Sequence, residues 1–149
     1  MDFNRMTEKL QDGVRAAQSL AARYSHQQID VEHLLLALLQ QDGGLAATIL
    51  EKAGLDPKLV VGKLEQDLAR LPKVSGPAAG PDQVYLTGRL NKLFVTAEDE
   101  AGKLKDEYIS VEHILLAILG EGRGSAAARI LQELGLTRDR LMKALLQIR

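Results

Sequence analysis

The chain has 149 residues, enough for one ordinary domain or two very small ones. Charge is near neutral and evenly spread, with nine basic and ten acidic residues from Met1 to Ser75 and ten of each from Gly76 to Arg149, which speaks against an electrostatic footprint for nucleic acid. There is no cysteine, which excludes disulfides and thiol chemistry, and with only two Phe, three Tyr and no Trp the core must be built from Leu, Ile, Val, Ala and Met, as suits packed helices.

The first residues, Met1 to Arg5, lack the apolar stretch of a signal peptide, and no apolar run nears the roughly 20 residues that cross a bilayer. A soluble cytoplasmic protein is the expectation. Thr7 is a good N-cap, and Leu10, Val14, Ala17 and Ala21 follow on one helical face. A short connection, Tyr24 to Gln28, leads to the stretch Ile29 to Leu39, where Asp30 caps a helix, Glu32 favours its dipole, and the residues after His33 are apolar all round. Such a helix is buried. A glycine-containing loop, Gln41 to Gly44, a short helix over about Leu45 to Ala53, and a helix over about Pro57 to Leu71 capped by Asp56 complete the unit.

The same succession then recurs. Ile109 to Leu119 repeats Ile29 to Leu39 at an offset of 80, and Thr87, Leu90, Phe94, Ala97 and Ala101 repeat the first helix. After a loop one residue longer, Gly120 to Gly124, the offset is 81; short helices follow at about Ser125 to Leu134 and about Arg138 to Gln147, the last capped by Thr137. The reading is all-α: two tandem four-helix repeats, about 1–71 and 84–149, joined by a Pro/Gly/Ala-rich linker at about 72–83, with no strand. Half-domains this small bury too little surface to stand alone, so the repeats should share an interface about a pseudo-twofold axis, with a groove along the seam.

Little here points to chemistry. His33 and His113 follow glutamates without His-Glu-x-x-His spacing, so no metal site is expected, and each should pack at the start of its helix and bond a nearby loop. His26 reads as solvated. Gly120 to Ser125 is glycine-rich but is neither phosphate-loop pattern and follows no strand. Ser25/His26 and Ser110/His113 show no orienting acid, so no catalytic residue is named. The pairs Asp99/Glu100 and Asp106/Glu107 read as solvated surface, with Asp106 as an alternative contact for a partner's amides or a basic residue.

The duplicated core, Ile29-Asp30-Val31-Glu32-His33 and Ile109-Ser110-Val111-Glu112-His113 with their leucine-rich continuations, resembles the double repeat of the Clp N-terminal domain, which precedes the ATPase rings of the Hsp100 unfoldases. Arg70 to Gly76, Gln83 to Leu86 and Lys105 to His113 are most similar to its ClpB disaggregase branch. That resemblance implies a non-catalytic domain that engages unfolded or aggregated polypeptide in an apolar groove and passes it to a hexameric ring. It implies the ring and the DnaK chaperone system as partners, no nucleic acid or membrane, and a monomeric isolated domain. ATP and Mg belong to ATPase modules absent from this chain, so no cofactor is expected here. Candidate polypeptide-binding residues are Thr7, Leu20, Leu93, Asp106, Glu112 and His113, although Thr96 and Glu100 are polar where a strongly apolar groove would want larger apolar side chains. The alternatives are an adaptor-docking domain of the ClpA or ClpC kind and a small enzyme centred on His33 or His113.

Overall fold

The computed structural model describes residues 2–74 and 84–149; the expected linker lies outside the described residues from Ser75 to Gln83. After a 3-10 turn at Phe3–Arg5, eight helices follow among the described residues: α1 (Glu8–Arg23), α2 (Val31–Leu39), α3 (Leu45–Lys52), α4 (Pro57–Arg70), α5 (Gly88–Lys103), α6 (Val111–Gly120), α7 (Ala126–Glu133) and α8 (Arg138–Ile148). Their starts are chemically determined. Thr7 and Thr87 accept the N–H groups of Leu10 and Leu90 at 3.3 and 3.0 Å, and Asp56 and Thr137 do the same for Lys58 and Arg140. Every residue of α2 is buried, as its all-round apolar character requires.

The two repeats interlock. Helices α1 and α5 cover the core helices α2 and α6 of their own repeats, whereas α3 of the first repeat packs on α6 and α8 of the second, and α7 of the second packs on α2 and α4 of the first. One hydrophobic cluster takes residues from all eight helices. The expected shared interface is therefore a common core. Among the described residues several depressions stand open beside that core, one between α1 and α2, one between α5 and α6 and one beside Gln28.

Two short parallel contacts clasp the repeats, where the sequence suggested no strand. β1 (Gln28–Ile29) pairs with β2 (Tyr85–Leu86), and Met6 bridges Ile109. Thr87 donates to the Ile29 carbonyl at 3.0 Å and Thr7 to the Ile109 carbonyl at 2.9 Å. These pairs are exchanged by the 80-residue offset, so they realise the pseudo-twofold axis. Two residues per strand are too few to leave an alternating pattern, which is why the sequence did not reveal them.

Symmetry fails at one packing position. A Cβ on Gly13 of α1 would lie 2.4 Å from Leu38 Cδ2, so α1 and α2 approach closely, while the equivalent position in α5 is Leu93. At the helix ends symmetry returns. Ser25 and Lys105 have φ of 60° and 59°, and each lets the next residue donate back to the helix, His26 to Ala21 and Asp106 to Ala101, both at 2.9 Å. Side chains with Cβ resist this conformation, so Ser25→Gly is expected to stabilise the chain by up to about 1 kcal/mol, read as a raised midpoint in urea. No gain would mean that glycine's extra freedom in the unfolded chain offsets the strain relief.

Candidate functional site

Residues 26 and 106 are carried by those turns to the N-terminal ends of the core helices, where the polar chemistry of the molecule concentrates. His33 and His113 are both 1% exposed. Each accepts the N-cap residue's own backbone N–H on Nδ1, from Asp30 at 2.9 Å and Ser110 at 2.8 Å. This is the side-chain half of a capping box, with histidine where glutamate is usual. Because Nδ1 accepts, Nε2 carries the proton, and the expected loop bond is made from there.

In the first repeat the receiver is His26 Nδ1, 2.8 Å away. His26 is buried, not solvated: Tyr24 stacks on it at 5.3 Å between centroids, and the short turn folds it inward. Burial pushes both imidazoles toward the neutral form, His26 downward and His33 down to about 4, with the neighbouring His26 adding to the effect at His33. Asp30 ties this corner to the second repeat, accepting the Thr87 hydroxyl at 3.0 Å with Arg89 3.8 Å away. Leu71, Pro72 and Val74 rim an adjoining depression of about 430 Å³.

In the second repeat the receiver is Asp106, whose Oδ2 lies 2.8 Å from His113 Nε2. Arg149 binds the other oxygen of Asp106 and reaches Glu112 at 3.5 Å. The Arg149 bond, then His113, holds the Asp106 carboxyl below its ordinary range. An acid therefore does stand beside Ser110 and His113, contrary to the sequence reading. The arrangement still lacks a free base: the lone pair of His113 takes the Ser110 N–H, and Ser110 Oγ donates to Glu112 at 3.0 Å. Asp106, Glu112 and His113 lie close enough to hold a metal ion, but the Arg149 guanidinium already neutralises their oxygens.

Thr7 joins this cluster through the Ile109 carbonyl, so four of the six candidate residues, Thr7, Asp106, Glu112 and His113, gather at one end of the seam. Tyr108, 51% exposed, lies between the cluster's residues in sequence, and Leu146, 71% exposed, is on the face of α8 that carries Arg149. Leu20 and Leu93 lie elsewhere. Both are buried and show only an edge to separate depressions, Leu20 between α1 and α2 and Leu93 between α5 and α6 beside Thr96.

Three polar anchors escaped the sequence reading. Glu100 is buried rather than solvated, receiving both arms of Arg138 at 2.9 Å, which lowers its pKa. Arg149, the last residue, carries no local pattern that would mark it. Glu32 crosses the seam to accept the Ala127 N–H of α7 at 2.9 Å. Only the position of Glu100, three residues after Ala97 and seven after Leu93 on the inner face of α5, carries a sequence signal.

A chain with this duplicated architecture has clear relatives. The family model described as the Clp repeat N-terminal domain matches residues 5–134. Chaperone protein ClpB of Nitratidesulfovibrio vulgaris and that of Bacillus cereus are each 41% identical over all 149 residues. The chain spans 17% of the length of either one. The ClpV N-domain from Vibrio cholerae superposes with a TM-score of 0.82 at 19% identity, covering 98% of this chain and 86% of that one. The Hsp104 N-terminal domain from Candida albicans does so at 0.75 and 21%, covering 97% and 91%. Among the described residues no helix is long and apolar enough to cross a membrane. With eight helices in two interlocked repeats and a match over most of its length, the chain belongs to the Clp repeat N-terminal domain family.

Proposed function

We propose that the domain binds unfolded or aggregated polypeptide as the client-engaging module of a ClpB-type disaggregase, delivering it to a hexameric ATPase ring that works with the DnaK system. The observation that carries this is the 41% identity across the whole chain to ClpB proteins, against 19–21% to the ClpV and Hsp104 domains that share its fold. The contact surface in this proposal is the seam end that holds Thr7, Asp106 and Glu112 over the buried His113, with exposed Tyr108 two residues after Asp106 in the chain and exposed Leu146 three residues before Arg149. Apolar burial there is non-directional and worth roughly 25 cal/mol per Å², so a small patch binds many sequences weakly. The carboxylates of Asp106 and Glu112 can exchange Arg149 for a client's backbone N–H groups or basic side chains.

Amide chemical-shift mapping with a reduced, carboxymethylated client should move Thr7, Asp106, Tyr108 and Glu112 at micromolar to millimolar concentration. No shifts at millimolar client would sink the proposal. An adaptor-docking role of the ClpA or ClpC kind predicts instead one discrete folded partner, saturating at a single stoichiometry and untouched by unfolded competitor.

A further inference from the structure

We propose that the His26–His33 pair is a proton-operated latch on the start of α2: one proton taken up by the pair breaks either its mutual hydrogen bond or the His33 cap on Asp30. Opening would free the turn from Ser25 to Asp30, and with it the clasp to β2 and the tie between the Val74 N–H and the Ser25 carbonyl, now 2.7 Å.

The geometry allows no third outcome. His33 Nδ1 receives the Asp30 N–H, which forces its proton onto Nε2, and that proton in turn requires a bare Nδ1 on His26. His26 therefore carries its own proton on Nε2, a buried atom that meets no acceptor in good geometry, with the Leu68 backbone of α4 near enough to favour that proton. A proton added to His33 would sit on Nδ1, facing the Asp30 N–H. One added to His26 would face the Nε2–H of His33, and relieving that clash by a tautomer shift again points a proton at Asp30. The charged groups around the pair are few: Asp30 favours protonation, Lys73 opposes it at His26, and Arg89 stands against Asp30 from α5. Tyr24, on the outer face of His26, stays neutral through this range, its pKa raised mainly by burial.

The second repeat supplies the internal control. There the receiver is the carboxylate of Asp106, which Arg149 and His113 keep ionised in mild acid, so no titratable acceptor interrupts the chain of bonds. The latch is built into one repeat only.

The sign follows from the two depressed histidines. An open form whose imidazoles titrate near 6.5 takes up protons that the closed form refuses, so opening grows as pH falls below 6.5 and levels off near the closed-state value of about 4 at His33. With both histidines contributing, the opening ratio should rise more steeply than either would drive alone, up to a limit of about a hundredfold per pH unit for two protons.

The test is amide hydrogen exchange followed by NMR between pH 7 and 5, corrected for intrinsic rates, with imidazole 15N shifts read in parallel. Opening at Asp30 and at Thr87, which donates to Ile29, should grow with a slope that steepens below pH 6.5, while Ser110 and Ile109 in the second repeat stay flat. In His26→Gln, which still accepts from His33 but does not titrate, the slope should fall to about one. The 15N shifts should show both histidines as Nε2–H tautomers at pH 7. Equal slopes in both repeats, an unchanged slope in His26→Gln, or ordinary titration of either histidine without opening would each overturn the latch. If His26→Gln does not fold, the wild-type slopes and tautomers decide.

Discussion

Leu35→Ala is expected to lower the stability of the chain by about 3 to 4 kcal/mol, and the loss should be felt as strongly in the second repeat as in the first. Leu35 is wholly buried on α2, so truncation removes apolar burial and leaves a cavity that neighbours cannot refill. Against a typical total of 5 to 15 kcal/mol this is a large fraction. Its spread through the molecule is the more discriminating part. Because α3 and α7 are each packed into the other repeat, neither half retains a closed core without its partner, and a single cooperative transition should result. The slowest-exchanging amides of α6 should then lose protection by over a hundredfold, as those of α2 do, although Leu35 is in the other repeat. Unchanged protection in α6 would show that the repeats unfold independently and that the interlocking carries little energy.

What the sequence made legible was what local rules control. Caps at Thr7, Asp30, Asp56, Thr87 and Thr137, together with glycines after α3 and α7, placed the helices to within about a residue, because each signal acts within one helical turn. The duplication then implied a shared core. Interlocking was not readable, since nothing in α3 or α7 alone says which repeat it will cover. The same limit governs the site. His26 stands in a polar run and looked exposed, yet the left-handed turn at Ser25 directs it inward, and serine is not a residue that advertises that conformation. Glu100 and Arg138 lie 38 positions apart and meet only because α5 and α8 both pack on α6. Comparing the repeats with each other recovers part of this: position 26 aligns with Asp106, so a buried acceptor facing the core-helix histidine is common to both.

That comparison also predicts where equivalent residues should behave differently. Glu32 and Glu112 occupy the same place in the duplicated motif, but Glu32→Ala should cost about 2 to 3 kcal/mol and Glu112→Ala less than about 1 kcal/mol. Glu32 is buried and gives its oxygen to the Ala127 N–H, while Ser125 Oγ takes the Ala128 N–H at 3.1 Å, so together they satisfy the first turn of α7. Removing the carboxylate leaves a buried donor without a partner at a helix start where the first repeat reaches into the second. Glu112 serves no such donor: α3 begins at Gly44 without a side-chain cap, and Glu112 turns instead to Ser110 and the half-exposed Arg149. Acidity separates the two further. Burial raises the Glu32 pKa above 4.5, so the folded state holds a proton that the unfolded chain releases, and the stability contributed by Glu32 grows as pH falls through the raised value toward 4.5. The gap between wild type and Glu32→Ala should therefore be wider at pH 5 than at pH 7, because a protonated carboxyl keeps an acceptor for Ala127 without a buried charge. Urea denaturation at the two pH values measures it. An equal cost for the two glutamates, or a gap that narrows in acid, would mean that the cross-seam cap does not hold α7 in place.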